Sequence, residues 1–278
     1  MIELSTIKKG DIVSIKNDVD NIIFYISDIV KKEGNQIVYL KGVTLRIETC
    51  TNIENIKIVE PYIIEKNVQR FEENINNLTD KIIEINDKKI RKNRSDLKRC
   101  GKILHLDGDK KYAIQSSKVY SKFGLNAIVK NIKESRQPAE IRPLLDKYNP
   151  DIIILTGHDG MIKKGTSFNN INNYRNSKYF VKTVIEARKW EQGINKLSIF
   201  AGACQSYYEA IMEAGANFAS SPARILIDFM DPIVIARKVA ITPDGKYITI
   251  KEIRDEIRNG ERGISGIGSF GKLTQKHL

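Results

Sequence analysis

The chain has 278 residues, with 46 Lys and Arg against 34 Asp and Glu, a formal net charge of +12, three Cys and three His. This length can bury a core without cross-links, and three cysteines cannot form a disulfide framework. A structural zinc site uses about four Cys or His ligands close together. We therefore expect no metal and no cofactor.

The cysteine count and the first residues also bear on where the protein works. An odd number of cysteines without a secretory leader at residues 1–5 predicts a protein of a reducing interior. No apolar run approaches the roughly 18 residues that a membrane span needs. We expect a cytoplasmic protein with no membrane span.

The positive charge is unevenly distributed along the chain. Residues 1–60 hold 8 basic and 9 acidic residues, whereas residues 81–100 hold 8 and 3. The basic run Lys88–Arg94 has no interleaved aromatic side chains on which bases could stack. We interpret this run as a solvated linker rather than a nucleic-acid site, and a non-catalytic RNA-binding or coat component stays open as an alternative.

Short strands separated by turn residues dominate residues 1–60. The pattern predicts four of them, and closely spaced short strands indicate a small barrel. The opening Lys-Lys-Gly-Asp-Ile-Val resembles SH3-like barrels. The predicted strands are Asp11–Ile15, Ile22–Ile26, Gln36–Leu40 and Leu45–Ile47.

The remainder divides into two further regions. Apolar residues recur every three or four positions from Ile63 to about Ile90, which predicts an amphipathic helix that ends in the basic linker at residue 99. Residues 100–278 alternate strand and helix, which predicts a parallel sheet covered on both faces. The predicted strands are 102–106, 126–130, 151–156 and 197–201, and the predicted helices are 112–123, 138–148, 177–190 and 205–214.

Two of the predicted strands end in glycine-framed turns. The first turn is Gly157-His158-Asp159-Gly160 and the second is Gly202-Ala203-Cys204-Gln205-Ser206. Function in such sheets gathers beyond the carboxyl ends of the strands. Because Cys204 would precede the predicted helix 205–214, we expect the helix end and a neighbouring imidazole to lower its pKa.

The two turns offer one candidate base and one candidate nucleophile. A buried Cys or His is commonly structural, but the joint placement of His158 and Cys204 after parallel strands favours a catalytic dyad. The other histidines and cysteines lie in a strand, at the chain end, or outside any such turn: His105, His277, Cys50 and Cys100.

The order of the two residues favours one kind of dyad. His158 precedes Cys204 by 46 residues, close to the caspase-type spacing of about 50. In cysteine hydrolases of the glutamine-amidotransferase kind the His follows the Cys, and here only His277 does so. A hydrolase of a small amide is therefore the second interpretation.

Five stretches of the chain are long enough to be specific for one family: Leu104–Asp109, Leu155–Gly165, Asn173–Phe180, Phe200–Ser206 and Glu213–Asp228. They closely resemble the YabG family of sporulation-specific proteases. The resemblance implies a cysteine protease of endospore-forming bacteria, made in the mother cell and acting on spore coat and cortex-associated proteins. The motifs are also similar to those of the caspase, clostripain and gingipain group, which implies a caspase-like doubly wound fold.

The resemblance also implies roles for the residues of the two turns. Cys204 would attack the scissile carbonyl, and His158 would protonate the leaving amine and then activate water. The backbone amides of Cys204 and Gly160 would stabilise the oxyanion. That group has Gly directly after the His, whereas Asp159 intervenes here. Asp159 would either orient the imidazole or cap the turn.

We also expect the enzyme to cleave after Arg and to cut its own chain. Clostripain and arginine gingipains prefer Arg, and a guanidinium requires a carboxylate opposite it. The candidate acids are Asp107 and Asp109, with Asp228 and Asp231 in reserve. The candidate self-cleavage sites are Arg136, in the polar segment 134–138, and Arg91, Arg94 and Arg99 in the linker.

Overall fold

A computed structural model describes residues 7–18, 20–90, 100–162 and 167–274, the side chains of 85–90 excepted. Its strands are β1 Ile12–Ile15, β2 Ile23–Lys32, β3 Asn35–Gly42, β4 Glu48–Asn52, β5 Ile56–Ile58, β6 Ile103–Asp107, β7 Ala127–Asn131, β8 Ile152–Thr156, β9 Ser198–Ala201, β10 Phe218–Ser220, β11 Tyr247–Ile248, β12 Ile264–Gly266 and β13 Ser269–Phe270. Its helices are α1 Pro61–Ile90, α2 Lys110–Lys122, α3 Gln137–Tyr148, α4 Ser177–Trp190, α5 Tyr208–Glu213, α6 Asp231–Ile241 and α7 Gly260–Gly263.

Strands β1–β5 form an antiparallel sheet, the N-terminal sheet, in the order β4-β3-β2-β1-β5. The hairpin between β2 and β3 turns at Glu33 and Gly34, whose φ angles of 51° and 81° suit a two-residue turn that follows strand twist. The first three predicted strands are confirmed, and β2 and β3 are longer than expected. The SH3-like class stays a prediction.

The fourth predicted strand, Leu45–Ile47, is wrong. The strand in this region is β4, which begins at Glu48, and β5 was not predicted. The chain turns tightly after Gly42, where an added Cβ would lie 2.4 Å from the carbonyl oxygen of Leu45. Leu45–Ile47 then leaves the N-terminal sheet and forms an isolated parallel bridge with Asp159. The sequence of β4, Glu-Thr-Cys-Thr-Asn, lacks the apolar alternation that marks a strand.

The long helix α1 is confirmed, and it begins at Pro61, a residue favoured in the first turn of a helix. Ile75 and Ile82 on this helix are buried in the same core cluster as strands β6 and β8. The helix therefore packs on this core cluster rather than standing free in solvent. The domain boundaries at residues 60 and 99 stay a prediction.

The second sheet, called the central sheet, has the order β12-β10-β9-β8-β6-β7. Its neighbouring pairs are parallel except for β12, which runs antiparallel to β10. The expected mostly parallel sheet is confirmed. Strands β8 and β9 lie side by side in its middle, so the turns that follow them emerge at the same edge.

Helices cover the central sheet on both faces, as the apolar strands predicted. Alternate residues of β8 face opposite sides: Ile152 and Ile154 join one core cluster, and Ile153 and Leu155 join the other. Helices α1, α2 and α6 supply side chains to the first cluster. Helices α3, α4 and α5 supply side chains to the second.

The helix predicted from residue 205 begins later, at Tyr208. Gln205 has a φ of 56°, in the left-handed region that a right-handed helix excludes. Residues 202–207 therefore form a turn. The statement that Cys204 sits at a helix N-terminus is wrong.

Packing of α1 on the core cluster that it shares with β6 and β8 can be tested by Ile82→Ala. Ile82 is 3% exposed, so the change should lower the free energy of unfolding by about 2–5 kcal/mol through lost burial and a cavity. Tyr62 on the same helix is 67% exposed, and Tyr62→Ala is the matched control, expected to change it by about 0.5 kcal/mol or less. Urea unfolding measures both. Equal stability of Ile82→Ala and wild type would contradict the packing.

Candidate active site

The central sheet brings the two predicted catalytic side chains to one edge. His158 lies two residues beyond the end of β8, and Cys204 lies three residues beyond the end of β9. Both side chains are fully buried. Tyr112 of α2 lies beside the candidate base, with its ring centroid 5.7 Å from that of His158.

The turn that carries Cys204 is tightly constrained. Gly202 has a φ of 114°, and an added Cβ would lie 2.3 Å from the hydroxyl oxygen of Ser220. The amide of Ala203 donates to Ser206 Oγ at 2.9 Å. The amide of Ile227 donates to Cys204 Sγ at 3.4 Å. The hydrogen bonds of this turn and of Ile227 therefore fix the position of the Cys204 thiol.

Asp159 holds this turn through two serine hydroxyls. Asp159 Oδ2 accepts from Ser206 Oγ at 2.8 Å and from Ser177 Oγ at 2.5 Å. Ser206 in turn accepts from the amide of Ala203, and Ser177 accepts from the amide of Tyr207 at 2.8 Å. One carboxylate thus ties the turn after β8 to both sides of Cys204.

The other oxygen of Asp159 is also engaged, since Oδ1 accepts from the amides of Gly160 and Asn176 at 2.9 and 2.8 Å. Burial raises the pKa of Asp159 to about 6, and these donors oppose the rise. No bond to the imidazole is present among the described residues. Of the two expected roles, the structure therefore supports a cap of the turn rather than an orienter of His158.

The imidazole of His158 contacts aromatic rings and the N-terminal sheet. Its ring lies edge-on to Tyr25, with centroids 6.5 Å apart. Nε2 donates to the carbonyl of Gly42 at 3.4 Å, and within the described part of the chain Nδ1 has no hydrogen-bond partner. Burial and, to a smaller extent, the nearby positive charge of Lys41 together lower the pKa of His158 to about 3.

Burial also shifts the pKa of the Cys204 thiol, in the direction opposite to the expected one. Burial raises the pKa of its thiol to about 12, although Arg46 and the Ile227 amide oppose the rise. The expected lowering is wrong for this conformation, because the helix begins four residues later and the pocket excludes water. Both members of the dyad are therefore uncharged here.

Among the four candidate acids, Asp107 forms a fully buried ion pair with an arginine side chain. It is the last residue of β6 and is fully buried. Arg46 Nη2 donates to Asp107 Oδ2 at 2.6 Å. Burial raises the pKa of Asp107, and the positive charge of Arg46 opposes that rise.

A hydrogen-bonded chain positions the Asp107 carboxylate. Thr156 Oγ1 donates to Asp107 Oδ2 at 2.8 Å, which leaves Thr156 to accept from His105 Nε2 at 2.7 Å. His105 Nδ1 then accepts from the hydroxyl of Tyr120 at 3.2 Å. Burial lowers the pKa of His105 well below its usual value, so this histidine is a neutral structural link.

The other three candidate acids have structural partners. Asp109 caps α2 by accepting from the amides of Lys111 and Tyr112, and it accepts from the Tyr25 hydroxyl. Asp231 accepts from the amides of Asp228 and Arg258, and burial raises its pKa to about 7. Asp228 Oδ1 accepts from the amide of Met230. The structure brings Arg46 to Asp107 and to none of these three.

The backbone amides proposed as oxyanion donors differ in their hydrogen-bond partners. The Gly160 amide donates to the Asp159 side chain, so it is occupied in this conformation. The Asp159 amide, one residue earlier, donates to the carbonyl of Arg46 at 3.3 Å. The Cys204 amide donates to no residue in the described ranges. The role of Gly160 stays a prediction.

The self-cleavage candidates are dispersed. Arg136 lies in a 3₁₀ turn, Glu134–Arg136, and its exposed side chain pairs with Glu140 at 2.5 Å. The remaining candidates Arg91, Arg94 and Arg99 lie outside the described residues, as does His277.

Sequence reasoning missed two residues of the site, Glu134 and Arg46. Glu134 is 1% exposed, and its Oε1 accepts from the amide of His158 at 2.7 Å. An added Cβ at Gly108 or Gly157 would lie 2.2 or 2.3 Å from this oxygen. Those two glycines, each just beyond a strand, were the available signal for a close neighbour. Nothing in the sequence marked Arg46.

A cleft of about 680 Å³ opens beside the site between the two sheets. Tyr25 and Lys41 of the N-terminal sheet line one side, and Glu134 and Asn176 line the other. Because Tyr25 contacts both His158 and this cleft, the cleft leads towards the candidate base.

Two negative findings accompany the site. Across residues 7–18, 20–90, 100–162 and 167–274, no group of three or more His, Cys, Asp or Glu side chains is arranged to hold a metal. In the same ranges, none of the helices combines the length and apolarity needed to cross a bilayer.

Comparison with known proteins points to one family. The family model of YabG peptidase U57 matches residues 8–277. A relative from Bacillus subtilis (strain 168), the sporulation-specific protease YabG, is 44% identical over 173 residues, or 62% of this chain. The match spans 60% of the length of that relative. No solved structure matches the chain.

The Asp159 network can be tested by Ser206→Ala. The change removes a donor to Asp159 and an acceptor for the Ala203 amide, so two buried groups lose a partner. The free energy of unfolding should fall by about 1–3 kcal/mol. Ser121 is exposed on α2, and Ser121→Ala should shift it by about 0.5 kcal/mol at most. Urea unfolding compares the variants, and an unchanged Ser206→Ala would show that the network does not hold the turn.

Proposed function

The chain belongs to the YabG peptidase U57 family, and we propose that it is a sporulation protease of the cysteine type. The name of the Bacillus subtilis relative supports the role in sporulation. One observation carries the cysteine assignment: His158 and Cys204 follow the neighbouring parallel strands β8 and β9, and both side chains are fully buried. A nucleophile and a base that emerge at the same sheet edge can act together on one peptide bond.

The proposed reaction is acyl transfer. With substrate bound, His158 accepts the thiol proton and Cys204 Sγ attacks the scissile carbonyl carbon. The carbon–nitrogen bond breaks as His158 returns the proton to the leaving amine, which leaves a thioester on Cys204. His158 then takes a proton from water, the hydroxide attacks the thioester, and the thiol is regenerated with a free carboxylate as product.

The oxyanion of each tetrahedral intermediate needs donors about 3 Å away. The Cys204 amide suits this role because it donates to no described residue. The Asp159 amide is better placed than the Gly160 amide as the second donor, since it already donates to a backbone carbonyl, that of Arg46. The Gly160 amide could serve only after leaving the Asp159 carboxylate.

Cleavage after Arg is supported by the pocket that surrounds Asp107. The carboxylate meets a guanidinium at 2.6 Å, and the rings of Tyr112 and Phe229 lie 5.0 and 5.2 Å from the guanidinium carbon. A buried carboxylate between aromatic faces recognises a planar cation more strongly than a lysine ammonium. We therefore assign Asp107, rather than Asp109, to the pocket for the residue before the scissile bond.

The wider role follows from the family. We propose that the protein acts in the mother cell on spore coat and cortex-associated proteins, and that it cuts itself at exposed arginines. Residues 1–60, 61–99 and 100–278 serve in this proposal as a barrel, a helix with a basic linker, and a caspase-like protease domain. The order of the central sheet, with its antiparallel edge strand, supports that last assignment.

The dyad is tested by Cys204→Ala and His158→Ala. Loss of the nucleophile should abolish cleavage of a spore coat protein, and loss of the base should lower it by about 100-fold or more. Cys100→Ala is the matched control, because Cys100 lies before β6, away from the sheet edge that carries the dyad. Gel analysis of substrate fragments measures the rates. Residual cutting by Cys204→Ala, or loss in Cys100→Ala, would refute the dyad. A glutaminase activity would instead favour the amide hydrolase.

The Arg pocket is tested by Asp107→Asn. Removing the charge should lower kcat/KM for a peptide with Arg before the cut by about 30- to 1000-fold, equivalent to about 2–4 kcal/mol of charge pairing. Asp255, whose side chain is 92% exposed, supplies the control Asp255→Asn, which should act as wild type. Steady-state kinetics with matched Arg and Lys peptides measures both. Equal rates on Arg and Lys peptides in the wild type would remove the assignment.

A further inference from the structure

The loop of residues 42–48 joins β3 to β4 and lies across the candidate active site; it is called the covering loop below. Gly42 accepts from His158 Nε2 through its carbonyl. The amide of Glu48 donates to the carbonyl of Asp159 at 2.8 Å. Glu48 Oε2 also accepts from the side chain of Asn176 at 3.0 Å. The covering loop is therefore bonded to the turn that carries the candidate base.

The covering loop is closed by its own backbone. The amide of Gly42 donates to the carbonyl of Ile47 at 2.9 Å, and the amide of Val43 donates to the carbonyl of Ile23 in β2 at 2.9 Å. Both bonds set the loop in one conformation before it meets the site. A preformed loop loses little conformational entropy on binding, which is the property of an efficient inhibitor.

Arg46 in this loop makes the contacts expected of the residue before a scissile bond. Its guanidinium fills the pocket of Asp107, Tyr112 and Phe229. Its carbonyl accepts from the Asp159 amide. Burial raises the pKa of the Cys204 thiol, and the backbone of Arg46 lies close enough to oppose that rise. Side chain, carbonyl and backbone thus occupy the positions of a substrate.

The hydrogen-bond donors of Arg46 are only partly paired in this pocket. The side chain is 1% exposed, yet Nε and Nη1 have no hydrogen-bond partner among the residues that the structure describes. Buried guanidinium groups with a purely structural role normally have their donors paired, because unpaired buried donors are costly. The unpaired donors make Arg46 easier to displace from the pocket than a fully paired structural arginine.

The covering loop also closes the nucleophile to solvent. Cys204 is fully buried and shares a core cluster with Val13, Phe24 and Ile47 of the N-terminal region. No protein substrate can approach a thiol in this position without displacement of the loop.

From these contacts we infer that the covering loop is a built-in inhibitor, in which Arg46 occupies the Arg pocket as an internal substrate mimic. The inference rests on the proposed function. Displacement of the loop opens the pocket, admits water and substrate to the dyad, and makes the protease active. The N-terminal sheet then regulates the site that it covers.

The test compares Arg46→Gln and Arg46→Ala with the wild-type full chain. Iodoacetamide labelling, read by peptide mass spectrometry, reports Cys204, with Cys50 and Cys100 as half-buried internal references. Cys204 should react more slowly than both references in the wild type. It should react about tenfold faster or more in the variants, because the anchor of the loop is lost. Circular dichroism checks the fold. Gln keeps a polar side chain and more of the length of Arg than Ala does.

Hydrolysis of benzoyl-arginine-p-nitroanilide is measured on the same proteins. The Arg46 variants should hydrolyse it about tenfold faster than wild type, and benzamidine, an aromatic amidinium, should inhibit them more strongly because the pocket is empty. The control is Arg175→Gln. Arg175 lies 5.5 Å from the ring of Tyr39 in β3, outside the pocket, and its loss should leave labelling and hydrolysis within about twofold of wild type.

The outcomes separate this inference from the proposed function. Faster labelling of Cys204 in folded Arg46→Gln without any hydrolysis would support the covering loop and reject the protease. Wild-type labelling of Cys204 as fast as that of Cys50 would reject the covering loop. A folded Arg46→Gln with slower hydrolysis than wild type would do the same while leaving the protease intact.

Discussion

The burial of one ion pair, Arg46 on Asp107, organises the meeting of the two sheets. The two residues are 61 positions apart in the chain, and their side chains are 1% and 0% exposed. A buried charge is costly without its partner, so removing one member of such a pair while the other stays buried costs about 3–5 kcal/mol. The N-terminal sheet therefore cannot shift away from the central sheet without re-hydrating both groups, and the position of the covering loop follows from this contact.

A second carboxylate, Asp159, has a different task. It belongs to the turn of the candidate base, yet its oxygens hold the turn of the candidate nucleophile through Ser177 and Ser206. The arrangement makes the spacing between His158 and Cys204 depend on hydrogen bonds that neither residue makes. Asp107 is positioned in the same indirect way, by the chain of Thr156, His105 and Tyr120. Two buried polar networks thus supply the rigidity that acyl transfer requires.

The burial that gives this rigidity also leaves the dyad uncharged. Water is excluded from Cys204 and His158, so the pKa of the thiol rises to about 12 and that of the imidazole falls to about 3. A thiolate and an imidazolium would need solvent or substrate dipoles that the covering loop displaces. The hydrogen-bonded turns that hold His158 and Cys204 are therefore already in place, but neither side chain is ionised.

The sequence by itself determined the elements and the sheet edge. Periodicity predicted α1 and the apolar strands β6, β8 and β9 because local patterns reflect which faces are buried. The glycine-framed turns placed His158 and Cys204 because tight turns need special backbone angles. Only the tertiary structure decided that Leu45–Ile47 leaves its sheet, that Asp159 serves the cysteine turn, and that Arg46 meets Asp107. Each of these depends on contacts between residues far apart in the chain, which no local pattern encodes.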